Sequence, residues 1–493
     1  MTDLSCHYLV CGAGAMGLAF CDAVINECSS PDVDIILLDK HAAPGGHWLD
    51  AYSFVTLHQP ACYYGVHSES LERNRDAHDL SSRQEILAYF QRVLDKLRAT
   101  GRLRFFAESE YVGGTDFKTK GGDAVTVELR AGGKVVDATY VQSLVPSICP
   151  PKYEVDPSVT LCPVNGLSSL QLAADSRDFV IIGAGKTAMD AVVHLLRNDV
   201  AQERIHWIMP NDSWVIRRDY MDPTRLDKQL LDFKLWQTAA DLEELVLISE
   251  EKGAMLARLD PDVMPRNFKA ATLSDDELQL LRSVKDVVRR GRVQAVGAAA
   301  ITWQNGGAAW AYPPGKDLVF VDCSANGLRG RPPRPIFEEG RITLQSALMA
   351  QICPSGAVIG WLECHGRHMS DKQKNETVIP CPHPATTRDL VKTVLLNMRN
   401  TFHLSSVKGF SRFWNNSRLN QDSHTSLRGY LGLLANAWMT YDMYRENSVV
   451  LGNLNRIFME EFSSAAPIPL HPPKRGRKRL SVEDLMSLAG AGM

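Results

Sequence analysis

Two short segments of the chain carry glycines at a spacing that proteins use to bind a dinucleotide. The first is HYLVCGAGAMGLAF at 7–20, in which Gly12, Gly14 and Gly17 fit G-x-G-x-x-G after an apolar strand. In this pattern the first glycine permits a tight turn, the second lets the backbone approach a pyrophosphate, and the third lets helix and strand pack closely. The N-terminus of the following helix offers N–H groups and partial positive charge to the phosphates. This segment therefore predicts a nucleotide site.

The residues after the first turn extend the nucleotide pattern. The next strand ends in Asp39, which is placed to accept a hydrogen bond from a ribose hydroxyl. The alternative, that Asp39 only caps a tight strand–helix turn, stays open. The segment KHAAPGGHWLDAY follows, and its Gly46, His47 and Trp48 offer a second flexible backbone stretch and an aromatic face. Those features suit a ligand longer than a pyrophosphate, such as a flavin with its ribityl chain.

The second glycine turn lies in VIIGAGKTAMDAVVHLL at 180–196. Gly183, Gly185 and Ala188 give G-x-G-x-x-A, again between a strand and a helix. Alanine in the third place loosens the packing of helix on strand slightly and is a weak indicator of NADP. The chain is thus predicted to bind a second dinucleotide.

The segment with Gly46, His47 and Trp48 resembles the stretch that follows the first ribose-binding acid in two-dinucleotide flavoproteins, especially flavin-containing and Baeyer–Villiger-type monooxygenases. VFVDCSANGL at 319–328 resembles a later strand of those proteins, which would bring Asp322, Ser324 and Gly327 close to the flavin. The resemblance covers most of residues 7–330. It implies FAD at the first turn and a nicotinamide dinucleotide at the second, because one dinucleotide delivers a hydride that the other receives.

The fold that this resemblance implies is α/β, with two Rossmann-like three-layer domains. The NAD(P) domain is inserted in a discontinuous FAD domain. Within that insertion, a helical segment at 222–292 either caps a substrate cavity or decorates the sheet edge. The expected parts are a first FAD segment at 1–165, the NAD(P) domain at 166–320, a second FAD segment with C-terminal helices at 321–465, and a disordered basic tail at 466–493.

The preference between NADPH and NADH depends on a cation near the 2′ position of the adenosine ribose. Relatives commonly have an arginine directly after the second strand, where this chain has Met209 and Pro210. Arg217 and Arg218 are the nearest candidates, although both could be solvated loop residues. NADPH is the favoured donor and NADH is not excluded.

The residues expected near the flavin favour some classes of flavoprotein reaction over others. Disulfide reductases need a cysteine pair against the flavin, and the place for such a pair reads HWLDAY. In SFVTLHQPACYYGV at 53–66, His58 and Gln59 could donate hydrogen bonds to a peroxide or a ring oxygen, and Tyr63 or Tyr64 could form a pocket wall. A structural role for His58 is the alternative. The fingerprint that separates the monooxygenase classes is missing, which indicates a divergent branch.

The expected function is therefore that of a FAD-dependent, NAD(P)H-driven oxidoreductase, with FAD and NADPH as cofactors. The favoured reaction is oxygenation of a small organic substrate by O₂, secondary metabolites among the candidates. One alternative is a flavin dehydrogenase or reductase that uses another acceptor. The other is a non-catalytic, redox-sensing protein that binds both nucleotides.

Composition limits the partners and the compartment. The 493 residues are 45% hydrophobic and carry a formal net charge of −3, so no large field would steer the chain to nucleic acid or to an anionic membrane. No apolar run reaches the roughly 18 residues of a membrane span, and the N-terminus lacks the basic region of a secretory signal. Eleven scattered cysteines without a C-x-x-C pair favour a reducing compartment and no metal site. We expect a cytoplasmic protein, with nuclear import left open by the basic run at 474–479; the oligomeric state is not indicated.

Overall fold

The molecule is built from twenty strands and twelve helices within the part of the chain that the computed structural model describes. The described residues are 4–71, 80–141, 143–172, 176–222, 225–313, 317–325, 327, 331–348, 351–420, 445, 448–463, 466–472 and 481–490. The strands are β1 Leu4–Cys11, β2 Ile35–Leu38, β3 Leu103–Phe106, β4 Ser109–Gly113, β5 Asp116–Thr119, β6 Ala124–Asp137, β7 Glu154–Val155, β8 Thr160–Pro163, β9 Asp178–Ile182, β10 Ile205–Ile208, β11 Ser213–Arg217, β12 Leu256–Ala257, β13 Asn267–Leu273, β14 Val287–Val288, β15 Val293–Val296, β16 Ala300–Trp303, β17 Trp310–Ala311, β18 Leu318–Asp322, β19 Phe337–Glu338 and β20 Arg341–Thr343. The helices are α1 Ala15–Glu27, α2 Arg83–Ala99, α3 Lys186–Arg197, α4 Leu226–Thr238, α5 Leu242–Glu251, α6 Asp275–Ser283, α7 Ile352–His365, α8 Asp371–Thr377, α9 Thr387–Ser405, α10 Phe410–Asn416, α11 Val449–Glu461 and α12 Val482–Gly490.

The first sheet carries the first glycine turn. Its strand order is β19-β20-β6-β1-β2-β3, with β4 and β5 attached beside β6. Strands β1, β2 and β3 are parallel, and β6 pairs in parallel with β1 and with β20. The four residues of β2 are all buried, as expected for a parallel strand covered on both faces. The strand–helix–strand unit predicted at 7–39 is confirmed.

The second sheet carries the second glycine turn. Its order is β14-β10-β9-β18-β8, and every pairing in it is parallel. Helix α3 connects β9 to β10, which gives the second βαβ unit. The sheet includes β8 at residues 160–163, so it takes in a strand that precedes the predicted boundary at 165. The first sheet is mixed with a parallel core and the second is entirely parallel, and each carries its own glycine turn, which confirms the predicted α/β fold class.

The segment at 222–292, expected to be helical, is a mixture of helices and strands. Helices α4 and α5 precede β12 and β13, and α6 lies between β13 and β14. β12 and β13 flank β11 in a small separate sheet. β13 lines the cavity described below through Asn267, Lys269 and Ala271. The segment therefore contributes a wall to that cavity.

Two helices that are far apart in sequence pack tightly against the first sheet. Every residue of α1 from Ala15 to Ile25 is buried, because α7 covers the face that the sheet leaves open. Gly356 and Gly360 allow this approach, since a Cβ added at Gly356 would lie 2.6 Å from the Met16 carbonyl oxygen. A disulfide joins Cys28, just after α1, to Cys364 near the end of α7. The cysteine pattern alone did not indicate this pairing, because its partners are 336 residues apart.

The C-terminal segments differ from the sequence-based prediction. Residues 482–490, expected to be disordered, form α12, in which Leu485, Leu488 and Ala489 are buried. The helix forms because these apolar side chains are three or four residues apart and pack into the cluster that contains Phe458. The basic run at 474–479 lies outside the described residues.

Apolar spacing in the sequence predicts amphipathic helices at 386–400 and 425–447. The first is confirmed as α9, and the second lies outside the described residues apart from Arg445. Ser82 with Glu85 three residues later predicts a capping box, which the structure confirms at the start of α2. Among the described helices none is long and apolar enough to cross a membrane.

Candidate active site

The first glycine turn has the geometry that close contact with a phosphate requires. Gly12 adopts a φ of +110°, which L side chains rarely adopt. A Cβ at Gly17 would lie 2.0 Å from the Gly12 carbonyl oxygen, so only glycine fits there. Helix α1 begins after Gly14 with no side-chain cap and no acidic residue in its first turn. Its N-terminus is thus free of competing negative charge.

Asp39 lies directly beneath the first turn and holds it in place. Its carboxylate accepts the Ala13 N–H at 2.7 Å and the His41 N–H at 2.9 Å, and His41 Nδ1 is a further 2.8 Å contact. A carboxylate offers about four acceptor positions, so one remains for a ribose hydroxyl. The structure therefore gives Asp39 the capping role and leaves room for the nucleotide role.

The segment at 45–48 packs over the first turn. Gly46 has a φ of +56°, and a Cβ there would lie 3.0 Å from the Gly14 Cα. The indole N–H of Trp48 donates to the Tyr64 hydroxyl at 2.6 Å, so the buried Trp48 holds this segment to the chain at residue 64. Burial lowers the pKa of His47 to about 4, which keeps its imidazole neutral.

The second glycine turn is tight at its base and open on its outer side. Gly183 has a φ of +144°, and a Cβ there would lie 2.5 Å from the Cys323 carbonyl oxygen. At Gly185, by contrast, an added Cβ would meet no atom within 4 Å. Helix α3 starts after Gly185 with no side-chain cap and no acid in its first turn, and Ala188 is buried against the sheet. The N-terminus of α3 therefore faces open space suited to a pyrophosphate.

A cavity of about 660 Å³ lies in front of the second turn, within the size range of ligand pockets. One side is formed by Tyr140, Gln345 and Ser346, which flank strands of the first sheet. The cavity floor is the second turn, from Gly183 to Thr187. The far side includes residues of the 222–292 segment. The cavity thus extends from the first domain across the second turn.

The structure places His58 in the wall of this cavity, and Gln59 does not line it. The Nδ1 atom of His58 is buried and has no hydrogen-bond partner among the described residues. Burial, together with the charges of Lys186 and Arg218, lowers the pKa of His58 to about 3. His58 is therefore a neutral imidazole with an unused nitrogen. Tyr63 and Tyr64, proposed from the sequence as pocket walls, do not line this cavity either.

Arg217 and Arg218, the candidate phosphate ligands, both form ion pairs with acids of α6. Arg217 Nη2 lies 2.6 Å from Asp275 Oδ2, and Arg218 Nη2 lies 2.6 Å from Glu277 Oε2. The second pair is almost fully buried. Burial works against ionisation of Glu277, but the charges of Lys186 and Arg218 outweigh it and lower the pKa of that carboxyl. Neither arginine lines the cavity, because the acids at the start of α6 hold both side chains.

Asp322 and Gly327 lie beside the second turn. Asp322 ends β18, which pairs with β9 in the second sheet. Its carboxylate accepts the Tyr153 hydroxyl and the Ser324 N–H, each at 3.0 Å. Gly327 lines the cavity. The two residues therefore belong with the second turn, and Asp322 holds the chain that follows β18.

Three cavity residues were missed in the sequence: Lys152, Lys269 and Arg292. They come from three separate places, the approach to β7, the middle of β13 and the approach to β15. Lys152 and Lys269 are isolated basic residues, and Arg292 belongs to the basic run RRGR at 289–292. Nothing in these local patterns marks a cavity residue. Only the fold brings them to one wall.

Buried neutral histidines predict an acid-sensitive fold. Burial lowers the pKa of His47 and His383 to about 4 and of His58 and His403 to about 3. Since an unfolded histidine titrates near 6.5, the unfolded chain binds more protons below that pH, and stability is lost as pH falls from about 6.5 towards 4. Asp232 and Asp22 oppose this effect, because burial raises the pKa of Asp232 to about 7 and that of Asp22 above its ordinary value. Because more histidines than carboxyl groups are shifted, urea unfolding should take up more protons at pH 4.5 than at pH 7.

A matched pair of variants identifies the source of this pH dependence. His383→Asn should remove about one proton from the uptake, and the same change at the exposed His368 should leave it unaltered. A free energy of unfolding that stays constant over this pH range would contradict the assignment.

Comparison with known proteins first defines the fold. Over 88% of each chain, the structure superposes on a polycyclic ketone monooxygenase from the thermophilic fungus Thermothelomyces thermophila, with a TM-score of 0.50 and 12% sequence identity. The chain therefore has the α/β fold of this protein, and at 12% identity the likeness extends to the fold alone.

The family follows from sequence. No family model matches the chain. It is 37% identical over 429 residues to uncharacterized protein Rv2000 of Mycobacterium tuberculosis (strain ATCC 25618 / H37Rv), which covers 84% of this chain and 77% of that protein. Uncharacterized protein Mb2023 of Mycobacterium bovis matches with the same identity and coverage. The chain belongs to the family of these mycobacterial proteins.

Proposed function

We propose that the protein is a FAD-dependent, NAD(P)H-driven oxidoreductase that uses O₂ to oxygenate a small organic molecule. The observation that carries this proposal is the pair of glycine turns, each at the carboxyl end of a strand with parallel neighbours on both sides. Ligands of open α/β sheets bind at that end of the strands. The cavity that begins at the second turn reaches residues of the first domain, which suits transfer between two bound dinucleotides.

The two turns would hold different cofactors. Gly12, Gly14 and Gly17, with Asp39 at the ribose, would hold FAD, with the Gly46–Trp48 segment above them. Gly183, Gly185 and the N-terminus of α3 would hold the nicotinamide dinucleotide. When bound, these groups supply hydride transfer from the nicotinamide to the flavin and the electrons that activate O₂. The chain's own task is to fix both pyrophosphates and to shield the space between them from water.

The cysteine environment argues against electron transfer through a thiol pair. Cys323 lines the cavity, but burial raises its pKa well above the ordinary value of a thiol. Burial also raises the pKa of Cys162, on the neighbouring strand β8, to about 11. Because the thiolate is the reactive form, neither residue is suited to disulfide exchange. An acceptor other than a disulfide, with O₂ foremost, is favoured.

A reductive titration tests this function. The purified full chain should carry FAD, and anaerobic addition of NADPH should bleach its visible absorbance. On admission of O₂, a panel of small ketones, sulfides and amines should yield an oxygenated product in proportion to the NADPH consumed. Bleaching followed by stoichiometric peroxide with every substrate would contradict oxygenation and support a reductase. Binding of NADPH without bleaching would support a redox sensor.

His58 is proposed to bind a polar group of the dinucleotide or the substrate through its unused ring nitrogen. His58→Ala should lower turnover by about tenfold, which corresponds to the loss of one hydrogen bond to a buried group. Because His58 stays neutral above about pH 4, its contribution to the rate should not change between pH 5 and pH 8. Gln59→Ala, which alters a neighbour outside the cavity, is the control. Unchanged turnover and unchanged peroxide leakage in His58→Ala would remove His58 from the mechanism.

A further inference from the structure

One wall of the cavity carries an uncompensated cluster of positive charge, formed by Lys152, Lys269 and Arg292. Within the part of the chain that the structure describes, none of the three has a carboxylate within ion-pair distance. Lys186, another cation of the cavity, pairs with Asp190 on the next turn of α3. Because Lys152, Lys269 and Arg292 carry like charge, an anion bound between them would relieve the part of their mutual repulsion that water and salt leave unscreened.

A β-bulge in β13 sets the position of Lys269. The pairing of β13 with β11 is regular at Trp214 and Phe268 and resumes at Ile216 and Thr272. Residues 269–271 therefore face the single residue 215, and Ala270 takes a φ of +51°. Bulges re-aim side chains beside binding sites. Lys269 is close enough to the other two cations that its pKa is lowered, first by desolvation and then by the charges of Arg292 and Lys152.

The cluster lies beside the end of the second strand of the nicotinamide unit. Pro210 and Asn211, which follow β10, line the same cavity, and the 2′ position of the adenosine ribose is expected near this strand end. In NADH-binding domains an acid accepts the 2′-hydroxyl there. The nearest acid along the chain, Asp212, is largely buried and is bound by Arg289 through contacts of 2.9 and 3.1 Å. The strand end thus offers cations in place of a free carboxylate.

We propose that Lys152, Lys269 and Arg292 form a phosphomonoester site that binds the 2′-phosphate of NADPH and selects it over NADH. The inference rests on the proposed function only in requiring a dinucleotide at the second glycine turn. In it the three cations take the role of 2′-phosphate ligands that the sequence suggested for Arg217 and Arg218, whose guanidinium groups are paired with Asp275 and Glu277. A phosphate dianion between two ammonium groups and a guanidinium would gain charge-assisted hydrogen bonds from each.

The test compares ligands that differ only by the phosphate. Calorimetry on the full chain with its flavin uses adenosine 2′,5′-bisphosphate against adenosine 5′-monophosphate, and NADP⁺ against NAD⁺. The wild type should bind the ligand with the 2′-phosphate, adenosine 2′,5′-bisphosphate or NADP⁺, about 100-fold more tightly than its partner without that phosphate. Lys269→Met and Arg292→Met should each lower the affinity for the ligand with the 2′-phosphate by about tenfold. The affinities for NAD⁺ and adenosine 5′-monophosphate should not change. Lys285→Met, which removes an exposed cation outside the cavity, is the matched control.

The outcomes separate this inference from the proposed function. Equal affinity of the wild type for the two members of each pair would overturn the phosphate site and leave the nicotinamide site standing. Retention of the full preference in both methionine variants would overturn it as well. Absence of binding for all four ligands would overturn the nicotinamide site and, with it, the phosphate site. Melting temperatures equal to that of the wild type would show that the variants are folded.

Discussion

Gly185→Val should abolish nicotinamide dinucleotide binding without changing the melting temperature. Gly185 has a φ of −92°, which valine tolerates, and an added Cβ meets no protein atom within 4 Å. The substitution therefore costs the fold little. Its methyl groups would occupy the space where the pyrophosphate must approach the backbone. Affinity for NADP⁺ should fall by about 100-fold or more, which corresponds to roughly 2.7 kcal/mol.

The control for this variant is the same substitution at a glycine that has as much free space around an added Cβ but does not line the cavity. Gly452 lies in α11, and a Cβ there also meets nothing within 4 Å. Gly452→Val should leave both the melting temperature and NADP⁺ affinity near the values of the wild type. Bound FAD should be retained in both variants, because the first turn is untouched. Normal NADP⁺ affinity in Gly185→Val would show that the pyrophosphate does not approach the second turn.

Gly17→Ala should remove FAD from the protein and destabilise the first domain. The new Cβ would lie 2.0 Å from the Gly12 carbonyl oxygen and 3.2 Å from the Ala138 Cβ. The first distance is far inside van der Waals contact with backbone, so α1 has to move away from the turn. Overpacking of this kind costs about 3 kcal/mol. The purified variant should contain little flavin and should melt at a lower temperature.

A second glycine separates loss of flavin from loss of stability. Gly360→Ala also crowds α1, because its Cβ would lie 3.0 Å from the Phe20 carbonyl oxygen, but it does so away from the turn. We expect a lower melting temperature with one FAD still bound per chain. If Gly17→Ala keeps a full complement of FAD, the first turn is not the flavin pyrophosphate site.

The parts of the site that depend on local sequence could be predicted, and those that depend on distant contacts could not. Gly12 and Gly17 are recognisable because the turn, the strand and the helix are contiguous. Arg217 and Arg218 were predicted as phosphate ligands because they are the cations nearest to the end of the second strand. Their ion-pair partners follow 58 and 59 residues later on α6, so the local sequence did not indicate those contacts.

The same limit applies to the cation cluster and to the C-terminus. Lys152, Lys269 and Arg292 meet only because β13 bulges and three separate segments converge on one cavity wall. Helix α12 was missed because proline and basic residues dominate the segment before it, and the helix itself has only nine residues. Their burial depends on a core cluster built from α9 and α11, which sequence composition does not show.

Electron transfer between the two dinucleotides is tested most directly by the visible spectrum of the purified full chain during anaerobic titration with NADPH. We expect a yellow protein with one FAD per chain, whose absorbance is bleached by one equivalent of NADPH. A colourless protein that takes up no added FAD, or a yellow one that NADPH fails to bleach, would contradict the claim that electrons pass between two dinucleotides held by this chain.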